Sequence, residues 1–225
     1  MIGVFIGYDR HETVAFHVLA HSIMRHASVP VSITGLMLNQ LDMKRERHPL
    51  QSTEFSFSRF LVPHLSGFGS LFDCSVFMDC DMLCRGDIAE LMTLAKANDE
   101  PVSVVKHDYT PSTQTKFLNQ PQSRYEKKNW SSVMVFRNAD CRKLTREYVD
   151  TASGLELHQF HWADGVGGLP VEWNHLVGEY PPNPDAKLVH FTLGTPCFED
   201  YRECEFSSEW YAEQILMESY ERKSA

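Results

Sequence analysis

The sequence predicts an α/β fold in one domain, a mostly parallel central sheet flanked by helices. Three observations carry the prediction. The chain opens strand, helix, strand, the order that builds parallel sheets. Short apolar runs recur along it, each ending on polar or acidic residues before a helical pattern or a loop. Its 225 residues, 43% of them hydrophobic, suffice for one full core.

Residues 2–8 read as a buried strand. His11 to Ala27 reads as a helix, because Ala15, Val18, Leu19 and Ile23 recur at helical spacing. Pro30 ends it, and Val31 to Leu38 is the second strand. In a parallel α/β sheet ligands collect at the carboxyl ends of strands, which puts Gly7, Tyr8 and Asp9 at the mouth of a site. Tyr8 could stack on a base and Asp9 could accept hydrogen bonds from a base or ribose. An ordinary strand-to-helix turn explains both residues equally well, so their pattern leaves the role open. His17 and His21 lie four apart on the helix, a zinc-compatible spacing, yet no third ligand is evident and a polar helix face is the better reading.

Residues 39–54 are polar and charged, a mobile loop beside the site. Phe57, Phe60, Leu61 and Leu65 then recur at helical spacing with Arg59 among them. An arginine in so apolar a stretch needs a carboxylate or a ligand phosphate, and spacing alone does not choose. Asp87 is an expected N-cap for a helix over Ile88 to Ala97, followed by a strand over Val102 to Lys106. Residues 107–129 form a long aperiodic connection, expected to act as a lid or acceptor wall. Trp130 to Phe136 is the next strand, with Ser131 and Ser132 small enough to let a bulky ligand approach. Arg142 to Thr151 is helical. The stretch from His161 to Tyr180 is irregular, with turn glycines, Asp164 and two tryptophans. Lys187 to Phe191 is a late strand carrying His190, and Ser207 to Tyr220 is a closing amphipathic helix.

Composition limits the function. A net charge of −9 without a clustered basic surface argues against nucleic acid. The start lacks the features of a signal peptide and no run approaches the length of a membrane span, so neither secretion nor membrane insertion is expected. Six scattered cysteines without a CxxC pair fit reduced thiols in a cytoplasm.

The chemistry concentrates in Ser75 to Cys84, where Val76-Phe77-Met78 runs directly into Asp79-Cys80-Asp81. Alternate residues of a strand share a side, so the two carboxylates can converge if extended geometry persists. Like charges so placed repel, and a divalent metal is the simplest remedy; a turn in which both aspartates cap backbone amides is the alternative. A lone histidine in an apolar strand is usually a satisfied core residue. Joined to the DxD, however, His190 would complete two oxygen ligands and one nitrogen, a set suited to manganese or another small divalent ion, magnesium included.

The order of motifs resembles the family 8 retaining glycosyltransferases of the GT-A fold, the group that includes glycogenin and bacterial galactosyltransferases. The resemblance rests on the early GYD, then FSRFLVPHL, VFMDCDML, GDIAEL, WSSVMVF and LVHFTLGTP. It spans nearly the whole chain and implies a single GT-A domain over 1–225, with a nucleotide-binding half at 1–105 and an acceptor-side half at 106–225. It implies a metal held by Asp79, Asp81 and His190, and a nucleoside-diphosphate sugar donor, UDP-linked. Donor-binding residues would be Gly7, Tyr8, Asp9, Arg59, Asp79, Cys80 and Gly194. Arg59 and Asp164 would serve the transfer itself, Asp164 by orienting sugar hydroxyls or, alternatively, as a nucleophile. The hydroxyl acceptor would belong to a saccharide, a lipid or a protein, and a homodimer is left open. Three departures mark a divergent branch. Trp130 replaces a common asparagine, Ala163 lies near a position that steadies the sugar in some members, and TLGTPCF lacks the lysine that usually follows the histidine.

Two other classes compete. A haloacid-dehalogenase-type phosphohydrolase would also use Asp79 and Asp81, but there the motif opens the domain and a Thr or Val stands where Leu83 does. A catalytically silent nucleotide-binding module would keep the fold and the metal without transfer.

Overall fold

The structure is a computed structural model, and it describes residues 1–47, 51, 53–113, 115–116, 120–121 and 126–219. Strand β1 (Ile2–Gly7) is entirely buried and leads to helix α1 (Thr13–His26), which buries Ala15, Val18, Leu19 and Ile23 as its spacing predicts. Strand β2 (Val31–Leu36) follows and pairs parallel to β1. The Phe55–Leu65 stretch is helical in two short pieces, a 3-10 turn over Ser58–Leu61 and α2 (Val62–Leu65).

Strands β3 (Cys74–Met78) and β4 (Met82–Cys84) flank the DxD. Helix α3 (Ile88–Ala97) begins at Asp87, whose side chain accepts a hydrogen bond from Ala89 N as expected of an N-cap. Next come β5 (Val102–Val105) and a small antiparallel pair, β6 (Thr115–Lys116) and β7 (Gln120–Pro121). Strand β8 (Val133–Arg137), helices α4 (Arg146–Thr151) and α5 (Gly154–His158), and β9 (Val166–Leu169) complete the main sheet and its cover. Strands β10 (His175–Leu176) and β11 (Leu188–His190) and helix α6 (Ser207–Glu218) close the chain.

The main sheet has the order β2-β1-β3-β8-β5-β9, parallel except for β8, which runs against both neighbours. This is the mixed α/β, mostly parallel architecture the sequence predicts. A second sheet, β10-β11-β4, stands beside it. The DxD is the crossover between the two sheets, because β3 ends at Met78 and β4 enters the other sheet at Met82.

Three sequence expectations shift. Trp130–Ser132 is a 3-10 turn rather than the start of a strand, and β8 begins at Val133. The stretch around Asp164 is not wholly irregular: Val166–Leu169 is an edge strand paired parallel to β5. Its glycines hid it, since Gly167 lacks a Cβ where Asn98 and the Ser103 hydroxyl already crowd in, 2.7 Å from where one would sit. The mobile loop at 39–54 is anchored where described: Arg45 Nη1 donates to Val149 O and Ala152 O, and its guanidinium stacks on Phe57. Residues 48–50 and 52 of that loop, 114, 117–119 and 122–125 of the expected lid, and Tyr220 of the closing helix lie outside the described residues.

Candidate metal centre

Backbone pairing brings the DxD and His190 together across more than a hundred residues. Met82 pairs with His190 in the antiparallel β4–β11 ladder, and Phe191 N donates to Asp81 O at 2.9 Å. On the other side Asp79 N donates to Ser132 O, also at 2.9 Å. One ligand atom each from Asp79, Asp81 and His190 then lies within 4.8 Å of the others, a grouping able to hold a metal ion. His190 Nε2 is 3.4 Å from Asp81 Oδ1, and its Nδ1 is 2.9 Å from Asn174 Oδ1. The donor chemistry, two carboxylates and one imidazole, fits a small divalent cation.

The electrostatics fit as well. Asp9, Glu12, Asp79 and Asp81 are all buried, with Arg59 the buried guanidinium among them. Cys80 registers that field. Burial drives its thiol far up, and Glu12, Asp81, Asp79 and Asp9 push the same way. Cys80 is wholly buried, with Sγ 3.8 Å from Glu12 Oε2, so its thiol faces the core and is not offered to a ligand.

Of the two partners open to Arg59, a carboxylate is the one it meets within the protein. Its Nη1 is 2.9 Å from Asp79 Oδ1 and donates to Ser131 O at 2.8 Å. Ser131 and Ser132 are buried connectors, not openings for a ligand. Ser131 Oγ meets His158 Nδ1 at 2.8 Å, and Ser132 Oγ donates to Asn129 O at 2.7 Å.

The remaining expected residues divide. Gly7 ends β1 with the Phe55 ring where its Cβ would be, 2.4 Å away, so packing accounts for the glycine. Tyr8 is half-buried, its hydroxyl 3.0 Å from Thr13 Oγ1 and its ring edge-on to Phe16. Asp9 accepts from His11 N and Glu54 N, each at 3.0 Å, and so shapes the turn after β1. Gly194, in the turn after His190, leaves room for the Tyr201 ring, 2.4 Å from where a Cβ would stand.

Asp164 is not brought to the triad. It is exposed and precedes β9, on the edge where the parallel strands begin, whereas the DxD lies on the edge where they end. Phe77, Met134, Val104 and Gly168 form one row across the sheet. Asp79 and Asp164 depart from that row in opposite directions, which separates them by roughly 20 Å at about 3.3 Å per residue. His21, considered for zinc, is instead bonded to Glu213 Oε1 at 2.6 Å. Among the described residues the triad is the one metal-capable group.

Sequence reasoning missed Asn129, Asn174 and Glu12. Asn129 adopts a left-handed conformation (φ 61°), donates through Nδ2 to the Tyr109 hydroxyl and Thr192 Oγ1, and offers its carbonyl to Ser132 and Asn174. An asparagine immediately before the Trp-Ser-Ser turn was the available signal, because asparagine tolerates that conformation. His107, at the end of β5, is buried with Nδ1 2.9 Å from the Tyr180 hydroxyl; burial first, and His190 second, lower its pKa to about 3.

No protein-family model matches the chain. Among solved structures the fold is shared with the galactosyltransferase LgtC in complex with donor and acceptor sugar analogues (TM-score 0.57, 10% identity, 99% of this chain and 98% of that one). It is shared too with the glycosyltransferase GlyE of Streptococcus pneumoniae TIGR4 (TM-score 0.61, 12% identity, 95% and 60%). The bifunctional WbbM is a third (TM-score 0.59, 14% identity), of whose length this chain spans about half, 49%, while 95% of this chain is covered. These likenesses establish the GT-A glycosyltransferase fold. In sequence, the chain is 39% identical over 234 residues to Protein CDI of Arabidopsis thaliana, across 98% of this chain and 88% of that protein. The chain therefore belongs to the family of Protein CDI.

Proposed function

We propose that the protein is a divalent-metal-dependent hexosyltransferase of the family 8-like retaining group, with a UDP-linked sugar as donor and a hydroxyl of a saccharide, lipid or protein as acceptor. One observation carries the reading. Asp79, Asp81 and His190 meet within 4.8 Å at the strand-end edge of a fold shared with a galactosyltransferase. Manganese or magnesium suits that donor set, and when bound it would supply Lewis acidity to the donor's diphosphate.

The chain's own residues divide the work. Asp79 and Asp81 present carboxylate oxygens and His190 an imidazole nitrogen. Arg59 steadies Asp79 and adds positive charge where the leaving group develops its own negative charge. Tyr8 and Asp9, beyond Gly7 at the end of β1, face the nucleotide, while main-chain groups at Cys80 and Gly194 line the diphosphate. Residues 1–105 would form the nucleotide half and 106–225 the acceptor half. All six cysteines are free, which supports a reducing, cytoplasmic setting.

The test is UDP release from a panel of UDP-sugars by the purified protein with manganese. Asp81→Asn should abolish turnover with the circular dichroism spectrum unchanged. Full turnover by that variant, or by metal-stripped protein, would overturn the assignment.

A further inference from the structure

We infer that Asn174 is the positioning residue that fixes the tautomer of His190, keeping a proton on Nδ1 so that Nε2 is the nitrogen presented toward Asp79 and Asp81. Its purpose rests on the metal-site reading above; its geometry stands independently. Asn174 is wholly buried in the 3-10 turn Val171–Asn174, immediately before β10.

The orientation of its amide follows from a chain of forced hydrogen bonds. Ser132 Oγ spends its hydrogen on Asn129 O, at 2.7 Å. It must therefore accept from the neighbour on its other side, which lies 2.8 Å away and is the Asn174 amide nitrogen. Asn129 O is an acceptor by nature and lies 3.3 Å from the same nitrogen. With Nδ2 committed to two acceptors, Oδ1 is the atom that meets His190 Nδ1, at 2.9 Å. A carbonyl oxygen can only accept, so Nδ1 carries the hydrogen. The neutral ring then has its lone pair on Nε2, the nitrogen 3.4 Å from Asp81 Oδ1. Partners of this kind, held behind a ligating imidazole, orient the ring and raise its basicity as a ligand.

The network reaches further than the histidine. Asn129, which anchors the amide, also donates to Thr192 Oγ1 and the Tyr109 hydroxyl. The backbone after β11 and the start of the 107–129 connection are thereby tied to the group that sets the ligand's tautomer.

Long-range proton–nitrogen correlation spectra of the metal-free, full-length protein give a direct readout that a merely structural role for Asn174 would not move. Wild-type His190 should show a protonated Nδ1; an Nδ1 without a proton would overturn the inference without recourse to any variant. Manganese affinity, read from the electron paramagnetic resonance of the free ion, gives the second arm. Asn174→Ala should weaken it about 10- to 100-fold and move the His190 proton toward Nε2, whereas Asn174→Asp keeps an acceptor at Nδ1 and should retain the wild-type tautomer. Unchanged tautomer and affinity in a folded Asn174→Ala protein would overturn the inference. If wild-type protein binds no manganese, the metal reading fails, while the tautomer measurement still decides the role of Asn174.

Discussion

Arg59 Nη1 lies 2.9 Å from Asp79 Oδ1, and both side chains are largely withdrawn from water. The guanidinium is held further by Ser131 O and by the Phe55 and Phe77 rings, whose centroids lie 5.2 and 5.1 Å from its carbon. This arginine is a buried countercharge of Asp79, and its loss removes that charge from beside a group of buried carboxylates. Arg59→Met should destabilise the metal-free protein by about 3 kcal/mol in urea unfolding. Manganese should recover part of the loss by restoring positive charge beside Asp79. Equal losses with and without manganese would contradict this placement of the charge.

Acid should weaken the fold through two histidines. His107 and His158 are each lowered to about 3, chiefly by burial, with His190 next for His107 and Arg59 next for His158. A folded-state value below the unfolded one means that the unfolded chain binds the proton first. The stabilisation is complete above about pH 6.5 and is lost as pH falls toward 3. The unfolding free energy read from urea titrations should therefore drop between pH 7 and pH 5, by at most about 1.4 kcal/mol per pH unit for each histidine. His158→Gln, which can still bond to Ser131 Oγ, should flatten the slope; an unchanged slope in that variant would contradict the assignment.

Glu213 clamps α6 to α1. Its buried carboxylate takes Arg25 through Nε and Nη2, with contacts from 2.7 to 3.1 Å, and His21 at 2.6 Å. Glu213→Ala should cost about 1–3 kcal/mol, the partly exposed arginine reducing the penalty of a fully buried pair. Hydrogen exchange should then quicken in α6 before the main sheet. Uniform acceleration across both would show that the clamp is not local.

Asp164→Ala should leave manganese affinity and nucleotide binding within about twofold of wild type, because the residue lies at the opposite edge of the sheet, some 20 Å away along the strands. Loss of either would show that Asp164 reaches the site after all.

Much of this architecture was legible in the sequence where local pattern and tertiary role agree. The spacing of Ala15, Val18, Leu19 and Ile23 gave α1, the Asp87 cap gave α3, and the apolar run before Asp79 gave β3. The triad was legible for a chemical reason: Asp79 and Asp81 placed together repel, a divalent cation is the simplest remedy, and His190 was the histidine on a late strand. The strand after Asp164 escaped because β9 is built around Gly167 and Gly168, which weaken the strand pattern and resemble a turn. Asn129 and Asn174 escaped because their roles lie in bonds to residues far along the chain, as in Asn129 to Thr192 and Asn174 to His190. Nothing in their neighbouring residues encodes those partners.

The central claim, that Asp79, Asp81 and His190 hold a divalent ion against a nucleoside diphosphate, is tested most directly by calorimetric titration of UDP into the purified protein. The titration is made with manganese, with chelator, and with His190→Ala. Binding is expected with manganese, lost with chelator, and weakened at least tenfold (about 1.4 kcal/mol) by the substitution. Equal UDP binding under all three conditions, or none by folded wild-type protein with manganese, would contradict the claim.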